Sequence, residues 1–170
     1  MINIKNNKLC AYLDIETTGL STSCSELTVI GILIENGPDE TFIQLVGDDI
    51  SSLRLLKIIE NIKTLYTYNG SRFDLPFIKS KLGIDIKSSC IHNDLMLGCW
   101  EKNLFGGLKN VERTLGIKRE LKDVDGQMAV ILWNNYRLYG DKNSLKTLLE
   151  YNKEDVLNLK ILRQKLNIFD

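Results

Sequence analysis

Two acidic residues, Asp14 and Glu16, are the side chains of this sequence whose type and spacing best suit chemistry. They lie two positions apart at the end of an apolar run, 9–15, that predicts a buried strand, so both carboxylates would project from one face of a sheet. Two ionised carboxylates on a buried face repel each other, and a divalent cation between them would offset that repulsion. The alternative is that the strand ends at Leu13 and both acids are solvated, because acids are common at strand ends.

A third acid, Asp74, follows a loop that begins with Asn69-Gly70, directly after a second predicted strand, 64–68. Ligands of open α/β sheets bind at the loops that leave the carboxyl ends of strands, so Asp74 would face Asp14 if the two strands are neighbours. The alternative is that Asp74 caps the following helix and that Asn-Gly is an ordinary turn.

A fourth acid, Asp155, lies in a helical pattern that includes Leu148 and Val156. Tyr151 precedes it by four residues, so the two side chains share a helix face. Both lie near the apolar stripe of that helix, where a partly buried carboxylate needs a cation or a hydrogen-bond donor as its partner. The alternative is an acid on the solvent side of the helix edge.

The remaining pattern predicts one mixed-sheet α/β domain over residues 1–170, with antiparallel strands first and parallel crossovers after them. Apolar alternation and turn residues predict strands, and apolar spacing at 3.6 residues predicts helices. One of these helices would bury Leu53, Leu56, Ile59 and Ile62. The predicted strands are 9–15, 28–34, 41–46, 64–68 and 89–95, and the predicted helices are 50–62, 75–82, 108–115 and two or more within 124–166.

Composition limits the class of protein. A chain of 170 residues that is 44% hydrophobic can bury a substantial core, and its 22 basic and 22 acidic residues give no net charge to attract a polyanion. The four cysteines form no close pair and there is one histidine, so a zinc site is not expected. With no apolar run of membrane-spanning length, we expect a soluble, cytoplasmic protein without a membrane partner.

Taken in order, these segments resemble the three motifs of DEDD (DnaQ-like) exonucleases: 14–20, then Asn69-Gly70 with Phe73-Asp74, then Tyr151 with Asp155. A tyrosine four residues before the last acid is typical of the DEDDy branch, whereas the histidine branch places histidine at the position of Glu150. The segments 92–95 and 108–117 further resemble YprB-like ribonuclease-H-like domains. The resemblance covers residues 8–166.

This resemblance implies a ribonuclease-H-like fold, with a five-stranded mixed sheet, an antiparallel second strand and helices on both faces. It also implies 3′-to-5′ hydrolysis of nucleic acid with two divalent ions, Mg²⁺ or Mn²⁺, which suit carboxylate ligands. By the family pattern, Asp14 would bridge both ions, Glu16 and Asp155 would complete the first, and Asp74 would hold the second, through water. By the same pattern, Tyr151 would orient the attacking water. Its ordinary pKa of about 10 makes it a poor base at neutral pH, so acidification of the water by the metal would supply the hydroxide.

The same resemblance assigns contacts with the terminal nucleotide of a single-stranded 3′ end to Thr17, Thr18, Gly19 and Leu20, with Asn69 and Phe73 as further candidates. The alternative is that Thr18-Gly19 is a turn and Leu20 is core. Asp94 would support the site or lie solvated at a strand end. Lys109 would reach a phosphate or lie exposed on its helix. Five further cations would line a phosphate track or serve only solubility: Arg72, Arg113, Lys118, Arg119 and Lys122.

Two other functions remain open. The chain would be a proofreading or processing subunit that is active only with a protein partner, or a binding module of the same fold that has lost turnover. The intact acids argue against the second.

Overall fold

A mixed five-stranded sheet forms the centre of the structure, a computed structural model that describes residues 9–168. The spatial order of the strands is β3-β2-β1-β4-β5, in which β2 runs antiparallel to both neighbours while β1, β4 and β5 are parallel. This confirms the predicted α/β, ribonuclease-H-like sheet with an antiparallel second strand. The strands are β1 Leu9–Thr17, β2 Leu27–Asn36, β3 Asp39–Val46, β4 Ile62–Thr67 and β5 Ile91–Asp94.

Helices cover both faces of this sheet. Alternate residues of β1 point to opposite faces: Leu13 packs in the cluster that contains Phe77, and Tyr12 packs in the cluster that contains Val156. No helix within the described residues is both long and apolar enough to cross a membrane. The helices are α1 Ser52–Ile59, α2 Asp74–Leu82, α3 Leu95–Glu101, α4 Leu108–Leu115, α5 Gly126–Tyr139 and α6 Lys142–Leu166.

Strand β1 continues past both of its acids. Glu16 still pairs with Val29 of β2, and the strand ends only at Thr17, so the alternative in which it ends at Leu13 is wrong. Asp14 and Glu16 therefore project from the face that carries Tyr12, which is the face covered by α6. The register of the two central strands places the carboxylates beneath that helix.

Two sequence predictions need correction. The helix predicted over 50–62 is shorter, and it buries Leu55 and Ile59 while Leu53 is 77% exposed and Leu56 is 44% exposed. Ser51 caps the start of this helix by accepting from the Arg54 amide. Ile59 is buried as predicted, and Ile62 is buried as the first residue of β4 rather than as part of the helix.

Helix α3 was not predicted. Its apolar residues surround the helix and so lack the periodicity by which a helix is recognised. Asp94 ends β5 one residue earlier than expected and caps α3, because its side chain accepts from the Met96 amide at 3.2 Å.

Helix α6 approaches the sheet closely at one position that lacks a side chain. Gly31 lies opposite Asp14 in the β1–β2 register, and a Cβ atom there would come within 2.2 Å of Asn152 Oδ1. Asn152 fills this space and donates to the Asp14 carbonyl at 3.2 Å and to Asp14 Oδ2 at 3.0 Å. Its own Oδ1 accepts from Gln44 at 2.9 Å, so the amide is held at both ends.

We expect Gly31→Ala to destabilise the protein by about 1–3 kcal/mol, because the new methyl group displaces Asn152 and with it α6. Denaturant unfolding measures this change. Gly126→Ala is the matched control, since a Cβ there meets no atom within 4 Å, and it should leave stability unchanged or slightly raised. Equal stability of Gly31→Ala and wild type would show that the close approach is not a constraint.

Candidate active site

Three carboxylates converge where β1 passes beneath α6. One oxygen from each of Asp14, Glu16 and Asp155 lies within 4.8 Å of the other two. Glu16 and Asp155 are buried and Asp14 is partly exposed, so the cluster lies at the floor of an opening to solvent. The alternative that Asp155 is a solvated acid at the helix edge is therefore wrong, because its side chain is only 8% exposed.

Asp74 lies beside this cluster but is not one of the three. It is the first residue of α2 and is buried, and its Oδ1 accepts from the Ile15 amide at 3.2 Å. Phe73 occupies the N-cap position, so the Asp74 carboxylate crosses to β1 instead of capping its helix. Because β1 and β4 are neighbours, the loop after β4 brings Asp74 into the same cavity as Asp14, as the sequence predicted.

The four acids interact electrostatically. Burial raises the pKa of Asp14 well above its ordinary value, and the charges of Asp155 and Glu16 raise it further. Burial likewise raises the pKa of Glu16, with Asp155 and Asp74 adding to the shift. The pKa of Asp74 is raised to about 7, chiefly by burial, although hydrogen bonds from its own amide and the Ile15 amide lower it. A desolvated cluster of like charges of this kind favours a bound cation.

A buried arginine supplies part of the missing positive charge. Arg119 Nη2 hydrogen-bonds to Asp155, and Arg119 Nε donates to Glu112 at 2.6 Å. Burial raises the pKa of Asp155 to about 6, while the Arg119 charge opposes that rise. Arg119 thus has a structural and electrostatic role, and the interpretation of it as a solubilising surface cation is wrong. Glu112 is 1% exposed and also accepts from Asn158 at 2.9 Å.

Tyr151 borders the acids from the same helix as Asp155, as its spacing predicted. Lys109 Nζ lies 5.0 Å from the centre of its ring, and Arg119 Cζ lies 5.7 Å from it. Burial raises the pKa of Tyr151 above its ordinary value, and the negative charges of Asp155 and Glu16 raise it further. The phenol therefore stays protonated at neutral pH and can act as a hydrogen-bond donor or acceptor but not as a base.

A cavity of about 700 Å³ opens over the acids. Leu20 is 87% exposed at its rim, so the alternative that Leu20 is core is wrong. Thr18 does not line the cavity; its hydroxyl accepts from the Glu26 amide at 2.9 Å and holds the turn. The other ten predicted site residues do line it: Asp14, Glu16, Thr17, Gly19, Leu20, Asn69, Phe73, Asp74, Tyr151 and Asp155.

The loop after β4 is fixed by Asp94. Its two carboxylate oxygens accept from the Asn69 amide at 2.7 Å and the Ser71 amide at 2.9 Å. Asn69 has a positive φ of 60°, a conformation that asparagine tolerates better than most residues. Asp94 is buried, so it positions the loop that carries Asp74 and is not a solvated strand end.

Sequence reasoning missed two residues that shape the site, Asn152 and Glu112, and it did not foresee that Arg119 binds Asp155. Asn152 falls on the buried stripe of α6, one turn before Val156, and a polar residue at such a position is a signal that could have been used. Glu112 and Arg119 gave no local signal, because Arg119 meets Asp155 from a position 36 residues away in the chain.

The fold is shared with proteins that act on nucleic acid. The structure resembles the family B DNA polymerase of the archaeon Pyrobaculum calidifontis with a TM-score of 0.72 at 16% identity, over 94% of this chain and 24% of the polymerase. This chain thus spans about a quarter of that protein. It resembles Brucella melitensis NrnC with a TM-score of 0.63 at 22% identity, over 98% of this chain and 76% of NrnC. It also resembles a product-bound exonuclease I with a TM-score of 0.50 at 13% identity, over 85% of this chain and 46% of the exonuclease I chain.

No curated protein is significantly similar in sequence. A family model described as the RNase_H superfamily, however, matches residues 11–167, a range that includes most of β1, the other four strands, the acid cluster and Tyr151. The chain belongs to the RNase H superfamily.

Proposed function

We propose that this chain is a metal-dependent 3′-to-5′ exonuclease of the DEDDy type, which hydrolyses phosphodiester bonds of nucleic acid with two divalent ions. The observation that carries the proposal is the meeting of Asp14, Glu16 and Asp155 within 4.8 Å at the floor of a cavity. Membership of the RNase H superfamily and structural similarity to NrnC and exonuclease I support the same reaction class.

The donor set fits Mg²⁺ or Mn²⁺. The cluster offers carboxylate oxygens and contains no histidine or cysteine, which is the choice of ligands that hard cations prefer. Asp14, Glu16 and Asp155 would hold one ion, and Asp14 with Asp74 would hold the second. When bound, the ions would stabilise negative charge on the attacking and leaving oxygens of an in-line displacement.

The side chains of this chain have separate tasks in that reaction. The Tyr151 hydroxyl orients the attacking water, and it does so as a neutral phenol because its pKa is raised. Asn152 fixes the position of the Asp14 carboxylate by a hydrogen bond, and Arg119 does the same for the Asp155 carboxylate. Leu20 and Phe73 flank the cavity on its apolar side and would pack against the terminal base, while Thr17, Gly19 and Asn69 present polar groups to the sugar.

A proofreading or processing subunit that needs a protein partner is a second candidate. It is favoured by the similarity to a DNA polymerase of which this chain matches only 24%. A binding module without turnover is disfavoured. Repulsion among four buried acids destabilises the fold, and a module that does not catalyse would have no use for them.

We expect the purified chain to shorten single-stranded DNA or RNA from the 3′ end with Mg²⁺ or Mn²⁺ and to stop when a chelator is added. Oligonucleotides labelled at the 5′ or the 3′ end in separate reactions measure the polarity. The substrate panel includes pGG, which is bound in a structure of NrnC. Asp14→Asn, prepared in parallel, controls for a contaminating nuclease.

Shortening from the 5′ end, or full activity in excess chelator, would contradict the proposal. Activity that appears only when a polymerase or processing complex is added would favour the second candidate. Tight binding without any hydrolysis under all of these conditions would identify a binding module.

We expect Tyr151→Phe to lower kcat by about 10- to 100-fold with little change in KM, since a lost hydrogen bond to a charged group is worth about 1.5–3 kcal/mol and this one acts in the transition state. Asp155→Asn should cost more, because it removes a metal ligand. Tyr139→Phe removes the same hydroxyl from a tyrosine that is 79% exposed and should behave as wild type. A rise in KM with unchanged kcat would instead place Tyr151 in substrate binding.

Asp14→Asn should raise the melting temperature of the chelator-treated protein while abolishing activity, because it removes one charge from a group of repelling acids. Mg²⁺ or Mn²⁺ should raise the melting temperature of wild type far more than that of Asp14→Asn. Asp39→Asn neutralises an exposed acid on β3 and should change neither quantity. Identical metal shifts for wild type and Asp14→Asn would mean that Asp14 is not a ligand.

A further inference from the structure

A second cavity, of about 730 Å³, lies at the carboxyl end of α4 and gathers five of the 22 basic residues of a chain with no net charge. Its lining contains five cations and one acid, Glu112, whose carboxylate is already occupied by Arg119 and Asn158. We call it the basic cavity; its cations are Lys109, Arg113, Lys118, Arg119 and Lys122.

Several of these cations are available to a ligand. Arg113 and Lys122 are exposed, and within residues 9–168 neither forms an ion pair. Lys118 pairs with Glu120 at 2.6 Å, but both side chains are more than 70% exposed, and such surface pairs contribute about 0–1 kcal/mol. An anion can therefore replace Glu120 at little cost. Arg119 is buried and less available: its Nη1 lies 3.7 Å from Glu154 Oε2, although it has no hydrogen-bond acceptor in the described part of the chain.

The basic cavity adjoins the acid cluster. Lys109 lines it and also lines a smaller cavity of about 310 Å³, whose walls include Asp14, Tyr151 and Asp155. Arg119 likewise lines the basic cavity while hydrogen-bonding to Asp155. A ligand that places one phosphate at the acids thus has a cationic path beside Lys109 leading away from them.

The 700 Å³ cavity over the acids has a different lining from the basic cavity. Its walls contain Leu20 and Phe73 and no lysine or arginine, which suits the base of a terminal nucleotide rather than a run of phosphates. Asp14, Tyr151 and Asp155 line both this cavity and the smaller cavity that shares Lys109 with the basic cavity. A strand whose last base enters the cavity over the acids would extend its backbone towards the basic cavity.

We propose that the basic cavity binds the backbone phosphates of a single strand on the 5′ side of the scissile bond. The inference rests on the proposed function and deepens it, because it names the substrate class: oligonucleotides of several nucleotides, with affinity that grows with length, and not dinucleotides alone. Electrostatic contacts of this kind are independent of sequence, so the cavity reads charge and not bases.

The test measures how the affinity of the full chain for oligonucleotides depends on salt. Every protein compared carries Asp14→Asn and is assayed in Ca²⁺, so that binding is measured without hydrolysis. The probes are fluorescent DNA and RNA of about 12 nucleotides with a 5′ hydroxyl, and the matching dinucleotides, which offer no upstream phosphates. The test variant is Arg113→Gln with Lys122→Gln. Among the described residues, the Arg113 side chain donates only to Asn110 on the same exposed helix surface, so the fold should be retained, and a thermal melt verifies this.

We expect the long probes to bind the test variant about tenfold more weakly at low salt, with a slope of log affinity against log salt that is smaller by about 1.4, which corresponds to two lost phosphate contacts. The dinucleotides should show a much smaller change. Lys57→Gln with Lys63→Gln removes the same charge from exposed positions outside the cavity and should leave both slopes as in Asp14→Asn alone.

An unchanged slope for the long probes in the test variant, or equal losses for long probes and dinucleotides, would overturn the inference whether or not the wild-type chain hydrolyses them. Failure of wild type to shorten any oligonucleotide, measured separately, would instead overturn the proposed function. A binding slope that implies six or more phosphates would also contradict the small number of cations in the cavity.

Discussion

The mutual repulsion of carboxylates on a buried sheet face is the constraint on which the rest of this structure depends. Asp14 and Glu16 project from β1 towards α6, and Asp155 meets them from above. The one buried arginine that contacts this group divides its hydrogen bonds between Asp155 and Glu112, and within the described residues neither Asp14 nor Glu16 forms an ion pair. The site therefore carries negative charge that its own side chains do not balance, and divalent metal ions would balance it.

The surrounding elements hold the acids together against that repulsion. Asn152 donates to Asp14 from within the helix, and the absence of a side chain at Gly31 leaves room for it. Asp94 fixes the loop that leads to Asp74 through two backbone amides. These contacts are local and polar, yet they depend on the apolar packing of α6 on the sheet, where Val156 and Leu159 are fully buried or nearly so. Precise placement of the acids is thus a property of the whole α6 face.

Much of the fold and the acid set could be predicted from sequence because both leave local patterns. Alternation identified the strands, and the ordered motifs identified the acids and Tyr151. The cavity also contains ten of the eleven residues that the motifs assigned to the site. Thr18 is outside the cavity lining and its hydroxyl accepts from the Glu26 amide, a contact that the motif did not predict.

The supporting charges could not be predicted in the same way. Arg119 lies in a polar segment, Lys118-Arg119-Glu120, that resembles any exposed loop, and only the packing of α4 against α6 brings it to Asp155. The basic cavity has the same origin: its cations are spread over 109–122 and are gathered by the turn at Gly116, whose positive φ of 65° ends α4. A neutral net charge gave no indication of this local concentration.

The most direct test of the account is a crystal structure of the protein grown with Mn²⁺, with an anomalous difference map calculated from data collected at the manganese absorption edge. The account predicts an anomalous peak among the carboxylates of Asp14, Glu16 and Asp155, with ligand distances near 2.1 Å, about those of small divalent cations. A map with ordered Mn²⁺ elsewhere in the crystal, and no peak among these three side chains, would contradict it.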